Sequence, residues 1–244
     1  MGPLRVKIHG QNADDLAPLI SNLDLEPVED EPEVVVSYGG DGTLLEAERA
    51  YPGIPKVTLR DSRRCRTCSH DSNETILRHL AEGKLKRTEF IKLQAKSPGP
   101  LLTSMNDIIL RNACVNSGVR FNLWIDDERY GHDEIVGDGL VAATPFGSTA
   151  YYRSITQSTF RVGIGLAFNN CVEPINHLVI GEDSVIRLRI TRGPALLAGD
   201  NSPDVVTVDR EDEVTIRRAD HSAVVLSFDR VKYPADQFIF HNGR

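Results

Sequence analysis

Cysteine is scarce in this 244-residue chain, which has only Cys65, Cys68, Cys114 and Cys171. Such sparse usage does not make the framework of a disulfide-stapled secreted domain, and it fits a reducing compartment. No apolar run approaches the roughly 20 residues needed to cross a bilayer. The opening stretch MGPLRVKIHG has no apolar core of the kind a secretory signal carries. A cytoplasmic protein with no membrane partner is expected. Positive charge is also short: 28 basic residues against 35 acidic ones leave a net charge of −7, which speaks against nucleic acid as the main partner. There is no internal repeat, low-complexity segment or flexible linker. What remains is an ordinary globular composition, 40% hydrophobic and 26% charged, long enough for one large domain or two small ones.

The first third alternates strand and helix patterns. LRVKIHG reads as a strand, and DDLAPLISNL places Leu16, Leu19, Ile20 and Leu23 on one helical face. EVVVSYGG is a buried-type strand, TLLEAERAY a helix and IPKVTLR a strand. SNETILRHLAEG is a helix with Ser72 as its N-cap and Gly83 at its end. Such alternation predicts a doubly wound parallel sheet, whose ligands sit beyond the carboxyl ends of the strands. Beyond residues 84–90 the period changes. VRFNLWID alternates strictly, as do VIRLRI and EVTIRR, so a β-rich, sandwich-like region follows. The expected organisation is an α/β domain over 1–86, a β-rich domain over 87–230, and a segment 231–244 whose Phe238, Ile239 and Phe240 pack back on a domain. The two halves are expected to share a cleft.

Three stretches could carry chemistry. In the first, Gly39, Gly40, Asp41, Gly42 and Thr43 stand between a strand and a helix. Glycines there let backbone amides approach a phosphate, and the helix start favours an anion. The stretch has neither the lysine of a P-loop nor the spacing of a dinucleotide fingerprint, and alone it fits a tight turn as well as a site. In the second, Asn106 and Asp107 precede an apolar strand; an amide beside a carboxylate can grip two ribose hydroxyls, and such pairs also begin ordinary turns. The third, GDGLVAATPFGSTAYYRS, runs from Gly137 to Ser154 and opens a helix with small and hydroxylated residues. Its Tyr151 offers an aromatic face.

Together, and in this order, GGDGT, an Asn-acid pair and DGLVAATPFGSTAY resemble the NAD kinase family over most of the chain. VEPINHLVI is similar to that family's Pro-Ile…His…Leu segment, and Asp200 falls where the family carries an acid. The resemblance implies an α/β domain followed by a β-rich one, and phosphoryl transfer from ATP or polyphosphate to the 2′-hydroxyl of the adenosine ribose of NAD. It implies Asp41 as the base, with Gly39, Gly40, Gly42 and Thr43 around the donor phosphates. Mg2+ or another divalent cation would accompany ATP. Asp41, Gly42, Asn106, Asp107, Asp138, Thr149, Ala150, Tyr151 and Ser154 would contact NAD, and a homodimer or homotetramer would form. The carboxylate in a phosphate loop then makes sense, because it is aimed at the attacking hydroxyl. The chain departs from the family in having Asp107 for the usual glutamate, ITQSTFRVG for a Gly-Gly-Pro stretch, and LRDSRRCRTCSHD for a Gly-Phe-Leu loop.

That last loop holds Cys65, Cys68 and His70, one ligand fewer than a structural zinc site uses, and no metal site is assigned to it. Arg60, Arg63, Arg64 and Arg66 could hold nucleotide phosphates or simply be solvated. Two other readings share the glycine-aspartate loop: a lipid kinase of the diacylglycerol or sphingosine type, which needs an apolar acceptor groove, and a phosphofructokinase-like enzyme, which would lack DGLVAATPFGSTAY. A non-catalytic NAD-binding sensor is the reading from a different class.

Overall fold

The computed structural model describes residues 2–61 and 71–228. The chain forms two compact units: one runs through Phe90 and is rejoined from His221 onward, and the other spans Ile91–Asp220. Cys65, Cys68, His70, Arg63, Arg64, Arg66 and the segment 231–244 lie outside the described residues.

The first unit holds β1 (Leu4–His9), β2 (Leu25–Pro27), β3 (Val34–Tyr38), β4 (Lys56–Leu59) and β5 (Lys86–Phe90), with helices α1 (Ala17–Ile20), α2 (Asp41–Ala50) and α3 (Asn73–Ala81). β1 pairs in parallel with both β2 and β3, and β3 with β4. Val6, Val34, Val36, Val57 and Leu59 form one face of the sheet, against Leu16 and Ile20 from the first helical segment and Ile76, Leu77 and Leu80 from α3. α3 begins as its residues require. The Ser72 hydroxyl accepts the Thr75 amide at 3.1 Å, a cap worth about 1 kcal/mol, and Gly83 at φ 64° ends the segment. The first helical segment is shorter than its apolar spacing predicts: Ala13–Leu16 is a 3-10 turn, and α1 has only four residues. Pro18 sits in the first turn of α1. It has no N–H for a longer helix running through from Asp14, so a new turn starts there.

α2 packs over β3 and β4 on the opposite face, which makes the sheet doubly wound. Strand alternation sends Lys56 to that side, away from Val57. Lys56 is 1% exposed and Glu48 2%, and they pair directly. The lysine Nζ also donates to the Tyr51 carbonyl at 2.5 Å.

The second unit contributes β6 (Leu93–Lys96), β7 (Leu102–Ser104), β8 (Asp107–Asn112), β9 (Val119–Ile125), β10 (Glu128–Gly137), β11 (Gly139–Ala143), β12 (Ile164–Asn169), β13 (Leu178–Ile180), β14 (Ile186–Arg192), β15 (Ala195–Gly199), β16 (Val205–Val208) and β17 (Glu213–Arg218), with α4 (Tyr151–Thr156). They make two six-stranded sheets in the orders β10-β9-β14-β17-β6-β7 and β13-β12-β11-β8-β15-β16. Phe121, Leu123, Leu188 and Ile216 of one sheet and Ile108, Leu110, Leu140 and Leu166 of the other share a single core, so the unit is a β-sandwich. The strict alternation of VRFNLWI is realised: Val119, Phe121 and Leu123 are buried between the sheets. On the outer face of the second sheet, Val141, Ala143 and Ala167 pack against Tyr152 of α4.

After β17 the chain goes back. β18 (Ala223–Ser227) inserts between β4, which it parallels, and β5, which it opposes, completing the order β2-β1-β3-β4-β18-β5. The expected limits at 86 and 230 are corrected accordingly: β5 and β18 belong to the first sheet. β18 is a short buried apolar run that can enter a sheet of either unit, and only the vacant slot beside β4 decides which.

A buried ion pair is costly to break and cheap to replace. Lys56→Met should destabilise the protein by about 3–5 kcal/mol, because Glu48 loses its lysine in a dry site. The double variant Lys56→Met/Glu48→Leu should recover most of that loss in denaturant unfolding. If the single variant unfolds at the same denaturant concentration as the native protein, the pair does not hold α2.

Candidate active site

The first constellation sits at the carboxyl end of β3. The Gly39 amide donates to the Leu59 carbonyl at 3.0 Å. Gly39 is buried and close-packed: a Cβ there would lie 2.2 Å from Thr43 Oγ1, so no larger residue fits without moving the helix start. Gly40 is extended, at φ −106° and ψ −167°, and acts as N-cap of α2, which begins at Asp41. Asp41, Gly42 and Thr43 thus form the first turn of a ten-residue helix, whose positive dipole end lies at this loop. Asp41 is half-buried. The loop offers a phosphate the helix end and a nearby hydroxyl group a carboxylate.

The second and third constellations meet in the second unit. The Thr144 amide donates to the Asn106 carbonyl at 2.8 Å, and the Thr144 hydroxyl to the Met105 carbonyl at 2.6 Å. Gly147 packs on the same turn; a Cβ would fall 2.1 Å from the Asn106 oxygen. Glycine in the GSTAY stretch is therefore demanded by contact with the Asn-Asp turn. Gly147–Thr149 forms a 3-10 turn leading into α4, and the Tyr151 amide reaches the Asp107 carboxyl. From the same residue, the phenol accepts the Asn169 side-chain amide at 3.1 Å. Asp138 accepts from Asn170 at 2.8 Å. Ser154 donates to the Tyr151 carbonyl at 2.7 Å, which commits its proton to its own helix. Ser148 and Thr149 are buried, whereas Ser154 is exposed. Asn106, Asp107, Thr149, Ala150 and Tyr151 are thus brought together by direct contacts or chain continuity. Asp138 belongs to the other end of β11, since Asp107 pairs across from Ala143 and Arg111 from Gly139.

One carboxylate organises this corner, and the spacing of the motifs does not announce it. Asp200, at φ 49° just past β15, accepts the amides of Met105 at 2.8 Å, Asn106 at 2.7 Å and Asp107 at 3.3 Å. The Ser104 hydroxyl lies 2.5 Å from it, and the Asp200 amide returns a bond to the Asp107 carbonyl at 3.0 Å. The only signal in the sequence is the acid at Asp200 where the family has one. Asp107 is 4% exposed. Burial first, and then the neighbouring Asp200 carboxylate, push its pKa up to about 7, against a smaller opposing pull from the Tyr151 amide.

No family model matches the chain. Curated relatives do. The NAD kinase of Nitrosospira multiformis is 25% identical over 214 residues, spanning 83% of this chain and 72% of its own. That of Saccharolobus solfataricus is 29% identical over 221 residues, spanning 86% and 85%. Among solved structures, an NAD kinase from Archaeoglobus fulgidus in complex with ATP shares the fold with a TM-score of 0.79 at 19% identity, over 96% of this chain and 97% of that one. A yeast NADH kinase complexed with NADH shares it at 0.83 and 16% identity, over 100% and 89%. A doubly wound unit with GGDGT at a helix start, followed by a sandwich that joins an Asn-acid turn to GSTAY, defines a nucleotide phosphotransferase. Within that class, the chain belongs to the NAD kinase family.

The Asp107 environment makes a pH-dependent expectation. The folded chain holds the proton up to about pH 7, while an unfolded aspartate releases it near pH 4. Its favourable contribution is therefore complete below about pH 4 and is lost as pH rises through about 7. Asp107→Asn removes the penalty of ionising a buried acid. Its stability relative to the native protein should rise between pH 5 and pH 8 by an amount on the order of a few kcal/mol. Urea unfolding at both pH values reads this directly, and parallel stability curves for the two proteins would refute it.

Proposed function

We propose that the protein phosphorylates the 2′-hydroxyl of the adenosine ribose of NAD, with ATP as donor, to give NADP. The observation that carries this reading is the close-packed turn formed by Asn106, Asp107 and Gly147, a polar cradle built of the residues a ribose needs and absent from a lipid kinase. The NAD kinase relatives point the same way, and nothing among them favours the lipid-kinase or sensor alternatives.

In this reading Asn106 and Asp107 hold ribose hydroxyls, and Thr149, Ala150 and Tyr151 line the adenosine side. Asp138 and Ser154 contact the remainder of NAD. Asp41 takes the proton from the 2′-hydroxyl as its oxygen attacks the terminal phosphorus of the donor and ADP leaves. Gly39, Gly40, Gly42 and Thr43 receive the donor phosphates at the positive end of α2. Among the described residues no group of three His, Cys, Asp or Glu side chains is placed to hold a metal. That fits Mg2+, which keeps several waters and binds through substrate phosphates plus one or two carboxylates; Asp41 is the carboxylate at the loop. The cation would neutralise charge on the transferred phosphoryl group. No described helix is long and apolar enough to cross a membrane, and the reading places the enzyme in the cytoplasm as a homo-oligomer.

A ribose hydroxyl is a poor nucleophile at neutral pH, and a positioned base contributes about 10²–10⁴-fold. Asp41→Asn keeps the shape while removing the basic oxygen. NADP formation from NAD, ATP and Mg2+ should fall at least ~10²-fold in kcat, with NAD affinity by calorimetry and the melting temperature largely kept. Turnover near that of the native protein would remove Asp41 from catalysis, and absence of NADP with the native chain would sink the whole reading.

A further inference from the structure

The face of β1 that turns away from the core borders a cleft to which none of these roles applies. Val6 is fully buried, with Leu4 and Ile8 packed beside it, so the alternation of the strand sends Lys7 and His9 to the opposite side. α2 covers that side only over β3 and β4. Between the helix flank and β1 lies a cleft of about 710 Å3, whose walls include Lys7, His9, Gly42, Thr43, Glu46 and Tyr51.

Its position is the one a doubly wound sheet reserves for ligands. β2 and β3 flank β1 on opposite sides, so the strand order reverses there, and the crevice beyond the carboxyl ends of β1 and β3 is the switch point. The two ends of the cleft differ in chemistry. At one end Gly42 and Thr43 present the positive terminus of α2. Toward the other, His9 and Tyr51 stand edge to face, ring centroids 6.3 Å and planes 79° apart, which makes an aromatic corner. Glu46 Oε2 lies 3.9 Å from His9 Nε2. From Gly42 to Tyr51 the helix rises roughly 13 Å, comparable to the length of an extended nucleoside triphosphate.

Charge separates the possible occupants. The Lys7 ammonium is held 2.5 Å from Glu29. Burial lowers the pKa of His9, opposed by Glu46 and assisted by Lys7 and Arg49, so the imidazole is neutral at pH 7. The aromatic end therefore offers two rings and a carboxylate. That suits a neutral base with an exocyclic amino group and repels a bare polyanion.

We propose that this cleft is the purine-nucleoside subsite of the phosphoryl donor. Tyr51 lies against the base, Glu46 accepts from its exocyclic amino group, and the phosphates reach Gly42 and Thr43. Resting as it does on the kinase reading, this assignment selects a purine nucleoside triphosphate over inorganic polyphosphate as donor.

The test uses the full chain with NAD, Mg2+ and either ATP, inosine triphosphate or polyphosphate. ATP should outperform polyphosphate at least about a hundredfold, and outperform inosine triphosphate, which lacks the amino group, by about tenfold or more. Tyr51→Ala and Glu46→Ala should each raise the KM for ATP at least about tenfold, with the KM for NAD within about twofold of the native value. Glu46 is on the surface, so its variant remains informative even if Tyr51→Ala does not fold. Equal use of polyphosphate and ATP, or an unchanged KM for ATP in Glu46→Ala, would overturn the assignment while leaving the kinase reading intact. If no donor yields NADP, the kinase reading fails on its own. ATP binding by calorimetry then decides the cleft: weakened binding in Glu46→Ala upholds it, and unchanged binding rejects it.

Discussion

The arrangement of the second unit hangs on the carboxylate of Asp200. Three consecutive backbone amides, from Met105 to Asp107, converge on it. A turn that leaves the sandwich core would otherwise bury those donors without acceptors, at a cost of about 1–3 kcal/mol each. With the amides tied down, Asn106 and Asp107 have no freedom of their own, and Gly147 can close onto the Asn106 carbonyl. The GSTAY helix start is therefore positioned by a residue more than ninety positions away from the turn it braces. The same carboxylate also sets the electrostatics, since it helps keep a proton on Asp107 well above the usual carboxylate range.

The first unit solves a similar problem differently. α2 must present its first turn at a fixed height above β3. The helix is held by Leu44, Leu45 and Ala47 and by the buried pair of Glu48 with Lys56. Asp41 and Glu48 are seven residues apart and so share a face. A shift of the pair along β4 would carry Asp41 with it. Buried ion pairs add little net stability compared with apolar replacements; what this one supplies is a single register for the helix. In each unit a buried charge locates a loop, and the loop carries the reactive group.

Substitution of the family's glutamate by Asp107 also has a physical consequence. The shorter side chain stays close to the turn and to the Tyr151 amide, at 4% exposure. An acid kept that deep titrates near neutrality, so the charge it offers a ribose depends on pH in the range where the enzyme works.

Much of this was legible in the sequence because the signals are local. The Ser72 cap and Gly83 stop bracket α3 within a dozen residues. The alternation of VRFNLWI assigns each side chain to a face without knowledge of the partner strand. GGDGT and GSTAY mark their own turns, because glycine is required wherever backbone or side chain comes within contact of the position. What the sequence could not decide involves partners far along the chain. Ala223–Ser227 pairs with β4 and β5 rather than with the sandwich, because the first sheet has a vacant slot and an apolar run carries no address. Pro18 shortens α1 despite a favourable apolar stripe. Asp200 is one acid among many until folding brings three amides to it, and Lys7 and His9 are ordinary strand residues until α2 leaves the face of β1 uncovered. Local pattern is set by chain stereochemistry within a few residues. Which distant groups meet, and which face stays open, is set by packing of the whole sheet, and only the tertiary structure contains that information.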